Sequence, residues 1–246
     1  MTAIAALALI GARCMDLGSG FLDCEREGRF ALFVPEKPTR GRAAIVLLHG
    51  AGRNRRTLID NPETRAALAS SRAVILMPDG GASWWLEPAR SRVLDLLDAV
   101  EKPLRLSRGP KRRAITGWSM GGFGSLALIT LHPSRFAAWA GTISLADFPN
   151  PAYPKERNHS VPPVFGQPES WPSHNPMARV AALRGKKARI ATGDRAYDRA
   201  MNESLRRRLE ELGIEHEFQL HEGGHEFAVV ARELPLTLRF LQSAMR

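Results

Sequence analysis

The sequence predicts an α/β protein with a mostly parallel central sheet flanked by helices. Two observations carry that expectation. Short apolar runs rich in β-branched residues alternate with longer amphipathic stretches, the pattern of strands joined by crossover helices. The 246-residue chain, 44% hydrophobic and 24% charged, is long enough to bury one full core and has the composition of an ordinary globular protein. A single domain over residues 1–246 is expected.

The elements follow in order. Residues 20–24 and 29–34 read as a leading antiparallel hairpin at the sheet edge. The runs at 43–48, 73–77, 113–116, 140–145, 188–192 and 217–220 read as strands. Helical patterns occupy 90–100, 122–131, 199–212 and 227–245, with Gly213 a C-terminal stop for the third. Between Asp147 and Pro176 the periodicity dissolves into prolines, among them Pro149, Pro162, Pro168 and Pro172. A loop that long inside a compact domain is usually functional, so the segment 147–176 reads as a small cap over the site.

Charge and cysteine usage exclude more than they assign. Thirty-five Lys and Arg against 25 Asp and Glu give a formal net charge of +10. The basic residues are scattered, however, and short runs such as Arg53-Asn54-Arg55-Arg56, 111–113 and 206–208 are not interleaved with aromatics as in a single-strand-binding surface. They read as solvated faces, and no nucleic-acid partner is expected. Cys14 and Cys24 do not make a disulfide framework in a chain this long, and whether they pair stays open, as does oligomeric state. The apolar run 2–12 is similar to a short signal core but lacks a preceding Lys or Arg, and Arg13 interrupts the cleavage pattern; the cytoplasm is favoured and export stays open. No segment is apolar for long enough to span a bilayer.

The chemistry concentrates at Gly117-Trp118-Ser119-Met120-Gly121. A buried strand precedes it and a helical pattern follows, giving the strand-turn-helix that a nucleophile elbow requires. Gly117 and Gly121 fall where a side chain would collide with the neighbouring strand and helix. Ser119 could instead merely cap the helix, but a cap does not need glycines on both sides. Such a nucleophile needs two oxyanion donors, one from the residue after it, Met120, and one from the loop after an earlier strand. His49-Gly50-Ala51-Gly52 follows the run 45–48, and the Ala51 amide is the candidate there.

His225, in Gly223-Gly224-His225 after the last strand, is the candidate base, in the chain order nucleophile, acid, base. His49, His132, His159, His174, His216 and His221 are weaker candidates by position. The segment His221-Glu222-Gly223-Gly224-His225 also satisfies a zinc-protease pattern, but that pattern needs a helix. Two adjacent glycines inside a helix cost about 2 kcal/mol relative to alanine. No metal site is therefore expected. Trp84, Trp85 and Trp118, with Phe165 and Trp171 from the cap, are candidates to line an acyl or aryl pocket.

Together, His49-Gly50 after a strand, Pro78-Asp79-Gly80-Gly81 with Ser83-Trp84-Trp85, the elbow, His132-Pro133-Ser134-Arg135-Phe136 and Gly223-Gly224-His225 resemble the putative esterase family of α/β-hydrolases. That family includes the esterase D-like S-formylglutathione hydrolases, feruloyl and acetyl-xylan esterases and enterochelin esterases. The resemblance implies the α/β-hydrolase fold and hydrolysis of a small-molecule ester or thioester through an acyl-serine, with no metal or organic cofactor. It also exposes a departure: the position at which relatives carry the triad acid, shortly after the glycine closing the penultimate strand, here Gly193, is Ala196. Asp198 is the first alternative, Asp194 the second and Asp147, after the preceding strand, the third. Asp198 could equally cap the following helix, and Asp194 could close an Asx-turn. The same departure motivates a competing reading, a catalytically weak or inactive hydrolase-like binding protein.

Overall fold

The computed structural model describes residues 2–36, 41–153 and 161–245. An antiparallel meander opens the sheet: β1 (Arg13–Asp16), β2 (Phe21–Glu25) and β3 (Arg29–Phe33). The strands β4 (Ala44–Leu48), β5 (Val74–Pro78), β6 (Arg113–Trp118), β7 (Ala138–Thr142), β8 (Lys187–Gly193) and β9 (His216–His221) run parallel to one another. Because β3 pairs antiparallel with β5, the result is one nine-stranded sheet of order β1-β2-β3-β5-β4-β6-β7-β8-β9. Strands β4 to β7 are buried along their whole length, which is why they read as continuous apolar runs rather than as alternation.

Two expectations are corrected here. The hairpin β2–β3 is present but is not the edge, because β1 lies outside it; Arg13, Met15 and Asp16 are exposed, so β1 has no buried face to give it a pattern. Cys14 and Cys24 are register partners across β1 and β2 and form a disulfide. The strand expected at 140–145 is β7 at Ala138–Thr142, since the positive φ of Ile143 (41°) turns the chain out of the sheet toward the end of β6.

Helices cover both faces. Those expected appear as α4 (Ala89–Glu101), α5 (Met120–Leu131), α7 (Arg199–Glu211) and α8 (Phe227–Ala244), numbered together with the short α1 (Ala3–Ala8), α2 (Thr57–Asp60), α3 (Pro62–Ala69) and α6 (Trp171–His174). The helices α1, α2 and α3 were not foreseen. A local signal for α3 existed: Asn61 Oδ1 accepts from the Thr64 amide at 3.0 Å and Pro62 takes the first helical position. The side chain of Leu7 on α1 is fully buried among Phe30, Leu32 and Leu104. Fully burying such a leucine contributes about 1.5–3 kcal/mol.

The proline-rich stretch is a chain of 3₁₀ turns, Pro163–Phe165, Pro168–Ser170 and Pro176–Leu183, around α6. Phe165 is fully buried against Trp84, Phe123 and Phe148, so this stretch is anchored to the body by an aromatic cluster of its own. His159 falls outside the described residues. Among those described, no helix is long and apolar enough to cross a membrane.

Candidate active site

The carboxyl ends of β4, β6, β8 and β9 converge on Ser119, as ligand sites of open α/β sheets do. Ser119 stands between β6 and α5 at φ 53°, ψ −122°, a conformation that side-chain-bearing residues rarely adopt. The glycines around it are dictated by space. A Cβ on Gly117 would lie 2.3 Å from the Gly121 carbonyl oxygen, and one on Gly121 would lie 2.1 Å from that of Leu48. The turn can therefore sit directly on β4.

From β9 the chain passes through Gly223 and Gly224 and delivers His225, whose Nε2 lies 2.8 Å from Ser119 Oγ. Its Nδ1 lies 2.6 Å from Asp198 Oδ1. The partners assign the tautomer: Nδ1–H donates to the carboxylate and Nε2 accepts from the hydroxyl. Asp198 is fully buried, and its other oxygen accepts from Thr192 Oγ1 at 2.7 Å and Asn202 Nδ2 at 2.8 Å. Its side chain does not cap α7, so the capping role is not the one observed.

The other two acids are engaged elsewhere. Asp194 Oδ1 accepts from the Gly223 amide at 2.9 Å, a bond that holds its carboxyl below the usual range and fastens the loop carrying His225. Asp147 accepts from Tyr153 Oη at 3.0 Å and from Asn175 Nδ2 at 2.7 Å, tying together the two ends of the proline-rich segment. Ala196, at the position the resemblance marks for the acid, is buried; its amide donates to the Gly193 carbonyl and its carbonyl accepts from the Arg199 amide.

The loop after β4 lies against the elbow: a Cβ on Gly50 would lie 2.8 Å from Trp118 Nε1 and 3.3 Å from Ser119 Cβ. Ala51 is exposed next to it, and Met120, first in α5, has no intrahelical acceptor for its amide. His49 braces this loop. Its Nε2 accepts from the Gly80 amide at 3.0 Å, its Nδ1 lies 2.9 Å from the Gly50 carbonyl, and burial pushes its pKa down. Arg55 adds a second brace, bonding both oxygens of Asp23 and Oδ2 of Asp79.

The three tryptophans divide. Trp84 is half-buried, stacked on Phe148 at 5.1 Å. Trp85 and Trp118 are core side chains rather than pocket lining. Trp85 is 1% exposed, packs on Gly80 and Gly124 and donates its indole N–H to the His49 carbonyl; Trp118 is buried against Gly50. Sequence reasoning missed Tyr197, whose ring stacks on His225 with centroids 4.3 Å apart. It also missed the donors Thr192 and Asn202, for which the sequence offers no separate signal. The zinc-like pentapeptide is no helix: His221 ends β9 and pairs with Glu233, while His225 faces Ser119.

A serine on a strand-turn-helix elbow, joined through a histidine to a buried aspartate at the carboxyl ends of a parallel sheet, defines the α/β-hydrolase class. Within that class the chain belongs to the Putative esterase family, which matches residues 19–241. Its sequence is 30% identical over 231 residues to Esterase MT1326 and Esterase Rv1288 of two Mycobacterium tuberculosis strains, with 77% of this chain and 50% of each relative covered. The chain thus spans about half the length of the curated relatives it matches. The fold is similar to that of an S-formylglutathione hydrolase from Agrobacterium tumefaciens, with a TM-score of 0.75, 16% identity and 94% and 98% of the two chains covered. It is equally similar to FphF, a fluorophosphonate-binding serine hydrolase of Staphylococcus aureus, with a TM-score of 0.73, 15% identity and 96% and 97% covered.

Proposed function

We propose that the chain hydrolyses a small or aryl ester, or a thioester, through an acyl-serine intermediate. The observation that carries this reading is the unbroken line from Asp198 through His225 to Ser119, at 2.6 and 2.8 Å. Ser119 Oγ attacks the carbonyl carbon while its proton passes to His225 Nε2. The carbonyl oxygen becomes an oxyanion held by the amides of Ala51 and Met120. Collapse expels the alcohol or thiol, which takes the proton from Nε2. Water then repeats the sequence, releasing the acid and restoring Ser119.

Asp198 keeps the imidazole in its Nδ1–H tautomer and stabilises the imidazolium. This contact favours an enzyme over an inactive binding protein, because the acid missing at Ala196 is supplied from the next turn of chain. The described parts of the segment 147–176 act as the cap, with Trp84 packed against Phe148 and Phe165 within them. A fluorophosphonate probe is expected to label the wild-type chain and not Ser119→Ala; equal labelling of both overturns the reading.

A further inference from the structure

The basic run Arg53-Asn54-Arg55-Arg56 reads from sequence as a solvated face, and the structure divides it. Arg55 is bound by Asp23 and Asp79, and Arg56 by Asp60 and Asp23. Arg53, exposed at the end of the loop that carries Ala51, forms no ion pair among the described residues. Its amide donates to the Gly50 carbonyl at 3.2 Å, and its guanidinium lies over the Phe227 ring at 5.8 Å from the centroid. Phe227 opens α8 directly after the His225 loop. Arg53 therefore bridges the two loops that meet at Ser119, one bearing an oxyanion amide and the other the base.

The carboxylates nearby in sequence are turned elsewhere. Glu226 Oε1 accepts from the Gly224 amide at 3.2 Å, and Asp194 accepts from that of Gly223. A guanidinium over a ring, on an exposed residue with no carboxylate paired to it among the described residues, is suited to bidentate recognition of an oxyanion.

We propose that Arg53 is a specificity-determining residue that binds a carboxylate carried by the substrate, so that the preferred esters bear an anionic group a few atoms from the scissile carbonyl. The inference rests on the serine-hydrolase reading above. A carboxylate on the substrate supplies the ion-pair partner that Arg53 lacks among the described residues. The contact is present before and during reaction, so it lowers KM more than it raises kcat.

The experiment compares p-nitrophenyl butyrate with mono-p-nitrophenyl succinate, in which a carboxylate replaces the terminal methyl. In Arg53→Gln the ratio of kcat/KM for the charged over the neutral ester falls about tenfold, mainly through KM, and in Arg53→Glu it falls further. Arg56→Gln removes the same charge from the same loop and leaves the ratio as it is in the wild type, which separates a local contact from the general field of a cationic protein. An unchanged ratio in Arg53→Gln, or an equal fall in Arg56→Gln, overturns the proposal. Fluorophosphonate labelling of Ser119 distinguishes the two failures: labelling with an unchanged ratio removes Arg53 alone, whereas absence of labelling in the wild type removes the hydrolase reading and the proposal with it.

Discussion

Two carboxylate-histidine pairs flank the turn that follows β9, and their surroundings set them apart. Glu233 on α8 is fully buried, accepts from His221 at 2.7 Å and from Thr237 at 3.0 Å, and is clamped by Arg189 Nε at 2.6 Å. Arg189 also reaches Glu217, so Glu233 shares its guanidinium partner with a second carboxylate. Asp198 accepts from His225, Thr192 and Asn202, and among the described residues no Lys or Arg is bonded to it. Moreover, His221 closes its network, whereas His225 passes on to Ser119. The first pair braces the end of β9 against α8, and the second lies in line with a serine hydroxyl, as the proposed proton transfer requires.

Substitutions at the two acids should separate these roles. Asp198→Asn is expected to lower kcat about ten-thousandfold while Asp194→Asn costs only a few-fold, measured on any ester the wild type turns over. A comparable loss at Asp194 would break the assignment. Glu233→Gln leaves Arg189 facing a neutral group and is expected to destabilise the fold by about 3 kcal/mol in urea unfolding, with kcat per folded molecule nearly unchanged. A collapse of kcat at full stability would show that the brace belongs to the chemistry.

Thr192→Val removes one neutral donor from Asp198 and should lower kcat about tenfold without altering the unfolding midpoint by more than a few degrees. The smallest effect concerns pH. Burial lowers the pKa of His49 in the folded chain, so the unfolded chain takes up that proton first as pH falls through about 6.5. Stability is therefore present above that pH and declines below it, and His49→Gln should flatten part of the decline in a series of thermal melts.

The parallel strands and the larger helices were legible because their apolar runs and periodicities are local. The elbow was legible for the same reason: Gly117 and Gly121 are forced by contacts within the turn and with β4. The short α1 and the exposed β1 left no such pattern, and the proline-rich segment holds to the body through Phe165, one aromatic whose partners Trp84, Phe123 and Phe148 are far from it in sequence. Trp85, taken as pocket lining, is core because Gly80 and Gly124 make room for its ring, a fit that no spacing encodes.

By itself the sequence determined the elbow, the candidate histidine and the class of sheet that carries them, since a strained turn or a buried strand writes its requirements into adjacent residues. Only the tertiary structure shows which aspartate meets that histidine. His225 is delivered by a loop after β9, and which carboxylate it meets depends on how that loop lies across the end of β8. The Gly223 amide takes up Asp194 there, leaving Asp198 beneath the imidazole.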